Sequence, residues 1–401
     1  MLLFSNIKKY DPRINKYFIS IDIVHHTNNI FLQSRSWYDL QCNYILDLPD
    51  NKIRSHFKII NQYHKNGKLH RIDNPAEIHY DASNRIVVEK WYEDGKLHRI
   101  DNPAEIHYGT NNRIVVEKWY EDGKLHRIGS PAEIHYDTYN RIIVEKWYQN
   151  GKLHRIGNPA EIHYDASNRI VVEKWYQNGK LHRIGNPAEI HYDASNRIVV
   201  EKWYQNGKFH RIGSPAEIYY DTYNRIDVEK WYEDGLKNRV DGPAIVKSRF
   251  EEIFIGDEYF SKYTKIKKKW YQYGKLHRKD GPALNKWFNN GRKQIEMWYE
   301  NGKLHRKDGP ALNKWFNNGR KQIEMWYENG KYEHVIKWYK NGQKKIERWY
   351  KNENYYKKDG PCKIYWYKNG QKKLEEWSQK MSDVPFVKMV WDVNGMLKYY
   401  R

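Results

Sequence analysis

The stretch Gly151–Asn178 reads GKLHRIGNPAEIHYDASNRIVVEKWYQN, and the next 28 residues, Gly179–Asn206, repeat it letter for letter. Slightly altered copies begin at Gly67, Gly95, Gly123 and Gly207. A second version, GKLHRKDGPALNKWFNNGRKQIEMWYEN, begins at Gly274 and recurs unchanged at Gly302. A fixed period in this range indicates a repeat array in which each unit stacks on its neighbours.

One repeat unit carries the marks of antiparallel strands. Ile86–Tyr92 is β-branched and aromatic and alternates between two faces, which predicts a strand. The Asp94-Gly95 pair that follows is a strong hairpin signal, because a two-residue turn needs positive φ at both positions. Leu97–Ile100 is then predicted as a second strand, which ends before Pro103 because proline cannot donate to a ladder.

These patterns together predict an all-β fold. We expect an elongated antiparallel β-hairpin repeat array with a 28-residue period, a small mixed N-terminal cap and no helix within the array. The predicted domains are an N-terminal cap or small module at 1–61, a first array at 62–235, a divergent joint at 236–273, and a second, basic array with a C-terminal cap at 274–401.

The composition favours a thin sheet with a core of large rings. Mean hydropathy is −1.03, yet 16% of the residues are Phe, Trp or Tyr, which is too aromatic for ordinary disorder. The tryptophans follow the repeat period, and we predict that they form the core of each unit. These repeat-core aromatics are Trp91, Trp119, Trp147, Trp175, Trp203, Trp231, Trp270, Trp298, Trp326 and Trp349.

The net charge of +21 is concentrated in the C-terminal part of the chain. Residues 236–401 hold 38 Lys and Arg against 19 Asp and Glu, whereas residues 1–235 hold 33 against 31. Such a field favours anionic partners. The alternative is that the lysines only keep sheet edges from joining. The candidate polyanion-binding residues are Lys267, Lys268, Lys269, Lys344, Lys345, Arg348, Lys357, Lys358, Lys372 and Lys373.

Histidine and glutamate also recur once per repeat. Neighbouring imidazoles could bind a metal ion, but every residue repeated at this period forms a ladder, so a structural role is favoured and no metal or other cofactor is predicted. The glutamates precede the second histidine by two residues and share its face of the strand. They are Glu77, Glu105, Glu133, Glu161, Glu189 and Glu217. Equal copies indicate an extended surface, and no catalytic motif is present, so we expect a protein that is not an enzyme.

The remaining sequence features bear on the compartment. The two cysteines, Cys42 and Cys362, suggest no disulfide framework and are predicted to be free thiols. No apolar run has the length of a membrane span, and the N-terminal residues do not resemble a signal peptide. We therefore expect a cytoplasmic protein, with peripheral membrane attachment as an alternative.

The recurring Trp-Tyr-x-Asn-Gly and Asp-Gly-Pro-Ala phrases resemble the MORN repeat, and more closely its variant in YwqK-like antitoxin-type proteins. The wording Trp-Tyr-Glu-Asn-Gly-Lys-Leu-His-Arg is similar to arrays of large DNA viruses that infect amoebae. The resemblance covers about residues 62–380, and the 28-residue period is longer than the standard MORN unit. It implies a non-enzymatic β-hairpin solenoid used for scaffolding, dimerisation or membrane-proximal attachment, in the host-cell cytoplasm or the virion if the protein is viral.

The sequence thus predicts a repeat scaffold that mediates protein–protein interaction or attaches to an anionic surface through its basic C-terminal array. The alternatives are an antitoxin-like protein that binds and masks a partner, and a nucleic-acid-binding β ribbon. Among partners we expect a protein or self-association first, with anionic phospholipid and nucleic acid also open, and no small-molecule substrate.

Overall fold

The structure is a computed structural model that describes residues 7–11, 16–20, 37–43, 56–81, 83–255, 258–378 and 385–400. Side chains are described at 61–81, 83–250, 266–378 and 387–400. The chain divides into two units, Met1–Arg197 and Ile198–Arg401, which we describe separately. Within the described residues every regular element is a β-strand and none is a helix, which confirms the predicted all-β repeat fold.

In the first unit the main strands form an open antiparallel meander, in which each strand pairs with its neighbours in chain order. The strands of four and five residues alternate through the repeats, with a chain reversal between them. The main strands are Ile7–Asp11, Lys16–Ser20, Trp37–Asn43, His56–Gln62, Glu77–Tyr80, Ile86–Lys90, Glu105–Tyr108, Ile114–Lys118, Glu133–Tyr136, Ile142–Lys146, Glu161–Tyr164, Ile170–Lys174 and Glu189–Tyr192.

The second unit continues the same pattern with longer strands towards its end. Its main strands again pair antiparallel in chain order. They are Ile198–Lys202, Glu217–Tyr220, Ile226–Lys230, Ile245–Ile255, Glu258–Lys269, Leu284–Trp287, Lys293–Met297, Leu312–Trp315, Lys321–Glu328, Lys331–Trp338, Lys344–Lys351, Lys363–Trp366, Lys372–Ser378, Pro385–Trp391 and Leu397–Tyr400.

A small two-stranded hairpin follows the longer strand of most repeats. The strand predicted at Ile86–Tyr92 is interrupted at Trp91. The Trp91 N–H still donates to the Ala104 carbonyl of the neighbouring strand at 2.8 Å, but the Trp91 carbonyl accepts from the His98 N–H of its own small hairpin at 3.1 Å. The second strand, predicted at Leu97–Ile100, is present but shorter, Lys96–Leu97, because pairing ends at Leu97 and the chain then bends towards the proline.

These small hairpins have two residues in each strand. In the first unit they are His64–Lys65 with Lys68–Leu69, Tyr92–Glu93 with Lys96–Leu97, Tyr120–Glu121 with Lys124–Leu125, Tyr148–Gln149 with Lys152–Leu153, and Tyr176–Gln177 with Lys180–Leu181. In the second they are Tyr204–Gln205 with Lys208–Phe209, Tyr232–Glu233 with Leu236–Lys237, Tyr271–Gln272 with Lys275–Leu276, and Tyr299–Glu300 with Lys303–Leu304. A further short strand, Asn354–Tyr355, pairs with the end of Lys344–Lys351.

Two kinds of turn reverse the chain in every unit. The predicted Asn-Gly hairpin turns have positive φ at both positions, as at Asn150 (50°) and Gly151 (76°). The turn between the main strands needs positive φ at one position only. Asn84 fills that position in the first array (59°), and Gly291 fills it in the second (77°).

The core is a series of small clusters, one in each repeat. Trp119, of the repeat that begins at Gly95, is buried together with Ala132 and Ile134 of the next repeat, and Tyr136 and Ile142 pack against them. Of the predicted core aromatics, Trp91, Trp119, Trp175 and Trp203 are buried. The others are half-buried: Trp147, Trp231, Trp270, Trp298, Trp326 and Trp349.

The described parts of the predicted cap and joint both belong to the meander. In the cap, His56–Gln62 pairs with Glu77–Tyr80 and so attaches the N-terminal strands to the first repeat. In the joint, Ile245–Ile255 and Glu258–Lys269 form one long hairpin. The predicted division into four segments stays a prediction.

Candidate functional site

In the first array an alternating row of Glu and Lys side chains crosses the sheet. Glu105, for example, lies opposite Lys90 on one neighbouring strand and Lys118 on the other. Opposite charges in directly facing positions stabilise a sheet. The charges of this row therefore neutralise one another along the array.

Each glutamate of this row is also bonded within its own strand. Glu133 Oε1 lies 2.5 Å from His135 Nε2 and 2.9 Å from Lys146 Nζ. Burial raises the pKa of the Glu133 carboxyl, but the hydrogen bonds and charges of His135 and Lys146 outweigh burial and lower that pKa to about 2. The histidine ladder predicted from the sequence is therefore tied to carboxylates.

The histidines of the Lys-Leu-His-Arg phrase have a different partner. His98 Nδ1 accepts a hydrogen bond from the backbone N–H of Asp122 at 3.3 Å, and His126 accepts one from Asn150 at 3.2 Å. Each such bond links one repeat to the next. Among the side chains that the structure describes, no three His, Cys, Asp or Glu converge as a metal site would require.

The second array replaces the alternating charges with aliphatic pairs. Leu284 stands opposite Lys269 and Met297, and Leu312 stands opposite Met297 and Met325. The carboxylates of that row are lost, because Leu replaces Glu in the repeat. The lysines of the row are lost as well, because Met replaces Lys, so this exchange leaves the net charge of the row unchanged.

Three lysines lie side by side on neighbouring strands, two residues along each strand from the aliphatic row. Lys267 is paired with Lys247 on one neighbouring strand and with Lys286 on the other. Lys247 Nζ approaches the Asp227 carboxylate at 3.8 Å. Like charges directly opposite one another destabilise a sheet, so this arrangement is costly without an anion.

These lysines line a cleft of about 610 Å³, which we call the lysine cleft. Its rings come from Trp287 and Phe288. Burial, together with the charges of the surrounding lysines, lowers the pKa of Lys267. The remaining lining residues are Ile266, Asn289, Asn290, Gln294 and Asn317. The cleft thus offers ammonium groups, amides and aromatic faces to an anion.

The turns between the main strands change their charge between the two arrays. In the first array an aspartate at the start of the turn holds the arginine at its end, as in the 2.6 Å pair of Asp137 and Arg141. In the second array Phe288 occupies the place of that aspartate. Its backbone N–H donates to the Arg292 carbonyl at 2.8 Å, as the aspartate N–H donates to the arginine carbonyl in the first array. The arginine is kept and its carboxylate is lost.

We call the exposed cations that follow these turns in the second array the basic turn edge. They are Arg292, Lys293, Arg320, Lys321, Lys344, Lys345, Lys372 and Lys373. Four of the eight form ion pairs with the glutamate three residues later in the sequence, as Lys344 does with Glu347 at 2.8 Å. These four are Lys293, Lys321, Lys344 and Lys372.

The other four have no described carboxylate within ion-pair distance. Arg292 and Arg320 donate to backbone carbonyls of the next turn. Lys345 and Lys373 lie over Tyr339 and Tyr367, at 5.4 and 5.5 Å from the ring centroids. These four side chains are the cations of the edge most available to an outside anion.

The ten cations predicted from the sequence therefore do not form one site. Lys267 lines the lysine cleft, Lys269 lies in the aliphatic row, and Lys268 points to the opposite face of the same strand. Lys344, Lys345, Lys372 and Lys373 belong to the basic turn edge.

The remaining three lie elsewhere in the second array. Arg348 is half-buried and donates to the Tyr365 hydroxyl. Lys357 is held 3.7 Å from the centroid of the Trp349 ring. Lys358 is exposed in the following loop, at the end of the strands that lies away from the turns.

Sequence reasoning missed Lys247, Lys286, Arg292 and Arg320. The signal was present in the repeats themselves. Aligning the two versions of the repeat places Lys286 where the first array has His, and Phe288 where it has Asp. Both exchanges raise the local charge, and only a comparison of equivalent positions shows them.

Comparison with known proteins does not identify a family. No family model matches the chain. No curated protein matches it either. A chain in the crystal structure of TcdB2-TccC3-Cdc42 is similar at 10% identity and a TM-score of 0.15, over 86% of this chain and 20% of that one. This chain thus spans about a fifth of the length of that chain. The resemblance to MORN-variant repeats stays a prediction.

Two further features concern the compartment. In the described part of the chain there is no helix with the length and apolarity needed to cross a membrane. Cys362 is a buried free thiol whose Sγ lies 3.3 Å from the Glu376 carbonyl oxygen. The side chain of Cys42 lies outside the described residues.

Proposed function

We propose that this protein is a non-enzymatic repeat scaffold whose second array attaches to an anionic phospholipid surface. The observation that carries the proposal is a set of cations for which the described part of the chain supplies no carboxylate, four along the basic turn edge and Lys267 in the lysine cleft. The repeated hairpins provide a scaffold that holds these cations at regular intervals.

An extended row of cations suits an extended anionic surface. Each Lys or Arg near an anionic membrane contributes about 1 kcal/mol, and the contributions add when the side chains lie along one edge. The four turn-edge cations without carboxylates, Arg292, Arg320, Lys345 and Lys373, are all exposed. Together with Lys267 they are the residues to which we assign the contact.

Vesicle co-sedimentation of the full-length protein tests this proposal. We expect binding to vesicles that contain phosphatidylserine and no binding to neutral vesicles, with release as salt rises from about 0.05 to 0.5 M. The variant K267Q/R292Q/R320Q/K345Q/K373Q should lose most of the binding. A matched control neutralises an equal number of exposed lysines in the first array, K68Q/K96Q/K124Q/K152Q/K180Q, and should bind as the wild type does.

Equal loss in the two variants would mean that only net charge matters, which would contradict the assigned edge. Absence of binding by the wild type would contradict the membrane proposal as a whole. The positive charge would then act to keep sheet edges apart.

A second candidate is single-stranded nucleic acid, because Trp287 and Phe288 lie beside the lysines of the cleft. Bases stack on exposed rings while lysines neutralise phosphates. A gel-shift measurement separates the two candidates. Binding to a short RNA that is weakened by W287A, with no vesicle binding, would favour nucleic acid over lipid.

A further inference from the structure

One isoleucine in each repeat of the first unit is almost fully exposed. It lies in the loop that follows the small hairpin. This loop is at the opposite end of the main strands from the turns that join those strands. These residues, which we call the isoleucine row, are Ile72 (76% exposed), Ile100 (74%), Ile128 (88%), Ile156 (86%) and Ile184 (87%). A single exposed aliphatic side chain is ordinary, but a regular row of them marks an interaction surface.

The loop that carries each isoleucine is held firmly. Arg127, which precedes Ile128, stacks on the Trp119 ring at 3.9 Å and donates to the Pro131 carbonyl at 3.2 Å. The same contacts recur in the neighbouring repeats. The isoleucines are therefore fixed in an outward position before any partner arrives, which lowers the entropy lost on binding.

A groove of about 270 Å³ lies between Ile156 and Ile184. Its walls contain Trp175 and Tyr176 and also the charged side chains of Arg155 and Arg183. Because the repeats share their sequence, we expect the other successive isoleucines to be separated in the same way. A surface with the same spacing, offset by half a repeat, fits such an edge over its whole length.

The second array carries lysine at the equivalent position. Lys279, Lys307 and Lys358 follow the residue that packs on the tryptophan, as the isoleucines do, and all three are exposed. The loop therefore tolerates lysine, whereas Val240, the equivalent residue just after the first array, is apolar and 89% exposed. Residues 1–235 hold 33 basic and 31 acidic residues, so two copies of this part do not repel each other.

From this geometry we infer that the isoleucine row is the interface for a second copy of this chain. The isoleucines of each copy enter the grooves of the other in a two-fold arrangement. Such an interface is self-complementary, because the same edge supplies both ridges and grooves. The cationic arrays stay outside this contact, since 38 basic residues against 19 acidic ones in each copy repel.

Sedimentation velocity of the full-length protein at micromolar concentrations tests the inference. We expect a species of twice 48.9 kDa that persists at about 0.5 M salt, because apolar contacts are not screened. The variant I128K/I156K copies the lysines of the second array and should raise the dissociation constant about a hundredfold or more, since four isoleucine contacts are lost per dimer.

A matched control is Y139K, which places lysine at a residue that is 74% exposed on the opposite end of the strands. It should leave the dimer intact, and the urea midpoints of both variants should equal that of the wild type. A monomeric wild type would overturn the inference. So would a dimer that survives I128K/I156K, or assemblies that grow beyond two copies. One further result would overturn the inference. In it the wild type is monomeric and binds neutral vesicles, and I128K/I156K does not bind them.

Discussion

At Glu133, burial, charge and hydrogen bonding act on one side chain. It lies between His135 on its own strand and the lysines Lys118 and Lys146 on the strands beside it. The Tyr148 side chain is hydrogen-bonded to it as well. Histidine and lysine partners of the same kind lower the pKa of each equivalent carboxyl to about 2, at Glu77, Glu105 and Glu161.

The low carboxyl pKa values predict acid sensitivity. A carboxylate whose folded pKa lies below the unfolded value of 4.5 stabilises the fold fully above pH 4.5. That stabilisation is lost as the pH falls towards about 2. We expect E133Q to lower the free energy of unfolding by about 1–3 kcal/mol at pH 7 and to have no effect near pH 2. Urea titrations at several pH values measure the difference.

The control for E133Q is E121Q, which changes an exposed glutamate whose side chain is 60% accessible. Exposed ion pairs contribute little, so E121Q should match the wild type at every pH. A loss for E133Q that stays constant down to pH 2 would contradict the electrostatic explanation and indicate a packing effect.

The arginine that stacks on tryptophan gives a second prediction at this scale. R127A removes both the ring contact with Trp119 and the hydrogen bond to Pro131, and should lower the free energy of unfolding by about 1–2 kcal/mol. R127K should lose less, because Lys357 shows that a lysine can occupy this place over Trp349. Equal losses in the two variants, measured by urea denaturation, would contradict this prediction and mean that a lysine does not replace the arginine over the ring.

At the scale of the element, the turns explain which parts of the fold the sequence could predict. Asn-Gly and Asp-Gly pairs require a known backbone geometry, so the small hairpins followed from the letters alone. The interruption at Trp91 could not be predicted, because the strand pattern of Ile86–Tyr92 continues through it. Only the bond from the His98 N–H to the Trp91 carbonyl shows that the chain turns there from the main sheet into the small hairpin.

The candidate site was less predictable for a related reason. Lys267, Lys268 and Lys269 are adjacent in the sequence and are therefore predicted as one site. Along a strand, however, successive side chains point to alternate faces. Lys247, Lys267 and Lys286 are distant in sequence and adjacent in the sheet. Strand register decides which charges meet, and composition does not contain it.

A glycine in one turn gives a prediction about the element. Gly109 stands where Asp165 and the other first-array repeats have aspartate, and its φ is not positive. We expect G109D to raise the free energy of unfolding by about 0.5–1 kcal/mol, because it restricts the unfolded chain and supplies a partner for Arg113. The urea midpoint should increase accordingly.

The matched control is G123A in the next hairpin. Gly123 has a φ of 77°, and an added Cβ would lie 3.5 Å from Lys96 Cβ, an ordinary contact. Any loss then comes from the backbone, and we expect about 1 kcal/mol. Destabilisation by G109D would show that the approach of its Cβ to Val115, at 3.0 Å, outweighs the gain.

At the scale of the whole molecule, stability should be the sum of unit and neighbour contributions. Deleting Gly151–Asn178 joins Asn150 to Gly179 and recreates the same Asn-Gly turn. We expect the shortened chain to fold and to have a lower free energy of unfolding. That free energy should also change less steeply with urea concentration, because less surface is exposed on unfolding. Circular dichroism during urea denaturation measures both. Loss of the folded state would contradict a modular array.

The pairing of each strand with its sequence neighbours also concerns how the chain is made. Ile114–Lys118 contacts Glu105–Tyr108 and Glu133–Tyr136, so its main-sheet partners lie within one repeat of it. Ribosomes add about 5–20 residues per second, whereas a hairpin forms in microseconds. Each repeat can therefore dock on the preceding one before the next has been synthesised. We expect the array to grow from its N-terminal end during translation, with a single open strand edge at the ribosome.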